Sequence, residues 1–200
     1  GGGFLVIHIR SGDIFDPEGQ GKMRPTFGQP PLQFFLTVIA SRDWSQVRII
    51  TSAHQRPFLN PTFTVLEMLA ESGLLGVNVK ATKNHSIWQD LHLMLCADAL
   101  AVSRSSLHFL TFAHSRATRF YIPGKCGPGS YRRMHNGPMK ATPDNTTLLL
   151  LEKPEAEVYG IGWDLSTEAY SVYNEWNDNA KQLLEMVTYT GIKHLERCAV

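Results

Sequence analysis

Six consecutive residues, His8-Ile9-Arg10-Ser11-Gly12-Asp13, hold the densest chemistry of the chain. They close a short apolar run, Phe4 to Ile9, of the kind a buried parallel strand shows. Side chains alternate along a strand, so His8 and Arg10 leave the strand end on the same side. A guanidinium is a planar fork that grips two oxygens at once, which suits Arg10 to a diphosphate. Gly12 lets the backbone turn, and Asp13 is placed to hold Arg10 or the loop. The plainer alternative is a salt-bridged arginine at a strand edge.

Three further groups are candidates. Ser103-Arg104-Ser105-Ser106 lies between a strand-like run and a helical one. A helix start offers unpaired N–H groups and a positive dipole end, and serine hydroxyls add donors, so this turn is a candidate phosphate cradle. Serine is equally a good N-cap, which explains the same residues without a ligand. Asp90 follows a capping serine by four residues. It is either a carboxylate favoured by the helix dipole or an acceptor for the paired N1–H and N2–H donors of guanine. Asp16 and Glu18 lie in the loop after the first strand. Either is a candidate general base if its site raises its pKa, or a solvated loop acid.

Other chemistries lack their patterns. Gly1-Gly2-Gly3 precedes a strand instead of following one, and Gly124 to Gly129 has neither the spacing nor the free N–H groups of a phosphate loop. No Gly-x-Ser-x-Gly elbow and no His-Glu-x-x-His zinc motif occurs. His92, His108 and His114 read as ordinary helix residues. Cys96 sits in an apolar helical stretch as a core thiol. Cys126 and Cys198 are able to pair in an oxidising compartment, although three cysteines leave the connectivity open. Asn84-His85-Ser86 and Asn145-Thr146-Thr147 are glycosylation sequons, common by chance.

These groups need a frame, and 200 residues suffice for one with a real core. Hydrophobic residues make up 43% and charged residues 18%, against about 25% charged in an average soluble protein, which excludes a disordered polyelectrolyte. With 19 Lys+Arg against 18 Asp+Glu the net charge is +1, so a basic nucleic-acid binder has no support. No apolar run reaches the length of a membrane span. The start at Gly1, without Met or signal peptide, reads as a piece of a longer protein.

Strand and helix signals alternate. Strands are expected at Phe4–Ile9, Val47–Ile50, Val77–Val79, Ala99–Val102 and Arg119–Ile122. Helices are expected at Leu32–Ala40, from an Asn60-Pro61 start to a stop at Gly73, from a Ser86…Gln89 capping box through Leu95, and at Ser106–His114. This order predicts an α/β, doubly wound parallel sheet, Rossmann-like, over residues 1–124. Ligands of such sheets sit at the carboxyl ends of the strands. Residues 125–200 read as an extension packing on the same domain. It holds a basic, glycine- and proline-rich loop, a short apolar run at Leu148–Leu151 and an amphipathic helix at Glu175–Thr190 that carries Trp176. Trp163 and Trp176 read as core aromatics or as part of an acceptor or partner surface.

A hydrophobic strand ending His-x-Arg-x-Gly-Asp resembles the first motif of the α1,2-, α1,6- and protein O-fucosyltransferase superfamily. Trp88 to Asp98, followed by Ala99 to Val102, resembles that superfamily's donor-domain helix and strand, and Ser103 to Ser106 its serine-rich phosphate turn. The likeness covers Phe4 to Pro123. It implies one half of a GT-B fold: the domain that binds GDP-fucose and, with a facing acceptor-side domain missing from this chain, transfers fucose with inversion to a glycan or protein hydroxyl. It implies no metal and no cofactor beyond the donor. By the resemblance, Arg10 holds the β-phosphate and stabilises departing GDP. His8 lines the donor pocket, Asp13 belongs with it to the substrate-binding set, Asp90 accepts from guanine, and Ser103, Ser105 and Ser106 form the phosphate turn. Glu18 stands where relatives of α1,6 activity carry a general base. The Golgi lumen is the implied compartment, any anchor lying outside this chain. Leu107 departs from the pattern, standing where some relatives have a polar residue. Two alternatives remain: a non-catalytic nucleotide- or glycan-binding module of this fold, and an enzyme that uses another nucleotide or nucleotide sugar.

Overall fold

The computed structural model describes residues 2–12, 14–15, 28–51, 60–83, 85–103, 105, 107–123, 153, 155–162, 170–173, 176, 179–192 and 194–198. Its described strands are β1 (Phe4–His8), β2 (Gln46–Ile50), β3 (Val79–Thr82), β4 (Ala99–Val102), β5 (Arg119–Ile122), β6 (Glu157–Gly162) and β7 (His194–Arg197). They form one sheet in the order β3-β2-β1-β4-β5-β6-β7, in which only β7 runs antiparallel. This is a mixed α/β fold, a mostly parallel sheet flanked by helices. The expected sheet is present, and β6 and β7 extend it with strands from beyond residue 124.

The helices are α1 (Leu32–Ala40), α2 (Pro61–Glu71), α3 (Ile87–Leu95), α4 (Leu107–His114) and α5 (Ala180–Thr188). Local chemistry sets their ends. The Asn60 side chain caps α2 at Thr62 and Phe63, with Pro61 at the first helical position, and Gly73 ends the turn that follows at φ +71. Ser86 and Gln89 form the reciprocal capping box of α3. Each face of the sheet has its own core. Leu5 and Ile7 of β1, and Ile9 just after it, lie with α1, α2 and α5, whereas Val6 lies with Met94 of α3 and Phe112 of α4.

Two expected elements shift. The third strand is Val79–Thr82 and not Val77–Val79: Val77 is a partly buried core contact that precedes the strand. The C-terminal helix begins at Ala180, capped by Asn179, and not at Glu175. Trp176 stands before it as a fully buried core aromatic, its Nε1 donating to Ile14 O at 2.7 Å and its ring meeting Phe15 edge-on at 5.2 Å. The run Leu148–Leu151, the loop at 125–140 and Trp163 lie outside the described residues. Cys198 is disulfide-bonded and Cys96 is free; Cys126, the other half of the expected pair, also lies outside them. No helix among the described residues is long and apolar enough to cross a membrane.

Candidate functional site at the reversal of strand order

The chain lays down β1, β2 and β3 in one direction across the sheet and then returns through α3 to place β4 on the other side of β1. In open α/β sheets the carboxyl edge at such a reversal is where ligands bind, because the connections after the two adjacent strands leave in opposite directions. Both expected motifs end there. His8 pairs in register with Val102, and the two strands hand over to Ile9-Arg10 and to Ser103.

The junction is tied by hydrogen bonds that continue past the strands. Ser103 N donates to His8 O at 3.0 Å, and Arg10 N donates to Ser103 Oγ at 2.7 Å. From the other side Asn60 Nδ2 donates to Arg10 O at 2.8 Å. Thr51 Oγ1 donates to Ser11 Oγ at 2.7 Å, fixing the start of the loop against the end of β2. Gly12 then turns the chain with φ +77, a value that suits glycine, and Phe15 N closes the turn on Gly12 O.

His8 and Asp90 lie on the same face. Alternation puts His8 on the side of Val6, between Ile50 and Val102, its register neighbours. It is buried, and its Nδ1 has no hydrogen-bond partner among the described residues. Burial, reinforced by the Arg10 guanidinium, lowers its pKa from 6.5 to about 4, so the ring is neutral at pH 7. Asp90 stands one helical turn before Met94, and α3 packs over β1. Its side chain is 1% exposed, and its Oδ1 lies 3.3 Å from Nδ1 of His85, an ion-pair distance without hydrogen-bond geometry.

Of the residues expected at the site, the structure thus brings His8, Arg10 and Ser103 to one strand junction and places Asp90 on the His8 face of the sheet. Ser103 is fully buried and already accepts from Arg10. Ser105 accepts from Leu107 N at 3.3 Å, the capping role that serine chemistry alone suggests, and keeps its O–H proton as a donor. Asp13, Asp16, Glu18, Arg104 and Ser106 lie outside the described residues. Among the described residues no three His, Cys, Asp or Glu side chains are grouped to hold a metal.

Sequence reasoning missed Asn60 as a member of this junction and His85 as the neighbour of Asp90. For Asn60 a signal existed: a cap after β2 necessarily sits at the carboxyl edge of a parallel sheet, beside the end of β1. Comparison of the chain with protein-family models and with curated proteins found no match.

Proposed function

We propose that the chain binds a guanosine diphosphate sugar, GDP-fucose, at the carboxyl ends of β1 and β4, as the donor-binding half of a GT-B, inverting fucosyltransferase. In this reading Arg10 faces the diphosphate and offsets the charge that grows on departing GDP, where stabilisation lowers the barrier most. Asp90 accepts from the guanine edge, with His8 beside it, and Ser105 and Ser106 donate to phosphate oxygens. The acceptor, a glycan or glycoprotein hydroxyl, is presented by a second domain.

The observation that carries the reading is the convergence of Arg10 and Ser103 at the strand-order reversal, with His8 and Asp90 buried on one face beside it. A ligand at a sheet's switch point is the general rule for this architecture. Buried polar atoms require partners, and a purine edge or phosphate oxygen supplies one for His8 Nδ1. The disulfide at Cys198 agrees with a secretory compartment.

Titration calorimetry of this chain with GDP-fucose and with a UDP-sugar tests the reading. GDP-fucose is expected to bind and the UDP-sugar to bind far more weakly. Arg10→Ala is expected to weaken GDP-fucose about tenfold or more, the scale of one charge-assisted contact. Equal affinity for both donors, or no effect of Arg10→Ala, overturns it.

A further inference from the structure

Arg10 lies two residues beyond the end of β1, past the last paired position of that strand with β2 and β4. Even so, both its N–H and its C=O are taken, each by a buried side chain from a different segment: Ser103 Oγ at 2.7 Å and Asn60 Nδ2 at 2.8 Å. The two side chains are 0% and 2% exposed. We propose that Asn60 and Ser103 are positioning residues that brace the Arg10 backbone from both sides, so that its guanidinium is presented to a nucleoside diphosphate in one orientation. The inference rests on the reading of this junction as a nucleoside diphosphate site.

The residue types support this beyond what the fold needs. A cap for α2 requires only an oxygen, and Asn60 Oδ1 supplies it to Thr62 N at 3.0 Å and Phe63 N at 3.3 Å. Serine or aspartate would cap as well. Asparagine alone among these adds an amide N–H donor on the opposite end of the same rigid plane, and that donor goes to Arg10. Ser103 is already locked to β1 through its N–H to His8 O, so its hydroxyl is not needed to join the strands. Both braces are anchored in regular structure, a helix start and a strand end, and neither carries charge. They fix where the cation stands without neutralising it. Binding a doubly anionic group then does not require ordering the backbone that bears the cation.

The test uses GDP and guanosine in parallel on the same chain. Asn60→Ser keeps the capping oxygen and removes the amide N–H that reaches Arg10 O. Ser103→Ala removes the acceptor, and Ser103→Thr restores it. Asn60→Ser and Ser103→Ala are each expected to weaken GDP about threefold to tenfold, the scale of one hydrogen bond, while guanosine binding stays within about twofold. Ser103→Thr is expected to retain GDP affinity. Neither change is expected to weaken GDP further in an Arg10→Ala background, because the braces act through that side chain. Parallel loss of GDP and guanosine overturns the proposal, since it marks a general collapse of the site. So does unchanged GDP affinity in both variants while Arg10→Ala weakens it, a result that leaves the nucleotide-site reading standing. Absence of GDP binding by the unaltered chain overturns that reading and the inference with it. Should Ser103→Ala fail to fold, Asn60→Ser decides alone.

Discussion

The two ends of β1 are held by the same kind of bond, a side chain reaching across to a backbone group, yet they differ in charge. At the amino end the Asp98 carboxylate accepts from Phe4 N at 2.8 Å, and Arg116 faces the same carboxylate at 3.0 Å. Opposite charges meet there and complete one another. At the carboxyl end Arg10 is braced by neutral groups, and the positive field of its side chain helps to keep the nearby His8 uncharged. The first arrangement serves to start a strand. The second sets a cation beside a buried imidazole, and the field of that cation disfavours a proton on the ring. One strand therefore has one end closed by a charged pair and the other braced by neutral side chains.

The largest expected effect comes from the support behind the carboxyl end. Trp176→Ala removes a fully buried indole and leaves Ile14 O without its donor, so a loss of about 3–5 kcal/mol is expected in urea unfolding. A cost below about 1 kcal/mol would show that the loop after Arg10 stands without this wall. Next is His8. Its folded-state pKa is depressed from 6.5 to about 4, so the unfolded chain binds more protons between those values. The contribution to stability is complete above pH 6.5 and is lost as pH falls towards 4, by about 3 kcal/mol in all. His8→Gln should flatten the slope of unfolding free energy between pH 6.5 and 5, where carboxylates contribute little. A slope equal to that of the unaltered chain would refute the assignment. The smallest effect belongs to the amino end. Asp98→Ala should cost about 1 kcal/mol in thermal or urea unfolding and leave GDP affinity unchanged, because the ion pair there is half-exposed. A fall in GDP affinity with this variant would erase the contrast between the two ends.

Much of this frame was legible in the residues because its signals are local. Helix α1 spans Leu32–Ala40 as its apolar stripe predicts, and β4 and β5 match their apolar runs. The Ser86…Gln89 box and the Asn60-Pro61 start carry their own geometry within four residues. Signals failed where burial and pairing separate. Val77 packs on the core without joining a strand, while β3, at the sheet border, carries an exposed Lys80 and only half-buried neighbours. Strand β7 reads His-Leu-Glu-Arg, and β6 contains two glycines, so neither shows an apolar run. Trp176 matched the helical stripe by spacing, but its burial comes from Ile14 and Phe15, far away in sequence. The site divides in the same way. His8 and Arg10 were legible from alternation along one strand. The brace from Asn60 was not, because the cap and the arginine it holds are 50 residues apart.

The placing of β1 inside the sheet, between β2 and β4, also sets an order of events during synthesis. It emerges before β2 and can pair with it soon afterwards, but its other edge waits for β4, whose Ala99 lies opposite Leu5. Until then a row of apolar residues and unpaired peptide groups lies open, the kind of edge that recruits other chains. The bond from Arg10 to Ser103 spans 93 residues, so the arginine is locked only after that gap closes. A nascent chain paused before β4 already holds the motif and half of its brace, yet lacks the Ser103 side of the junction.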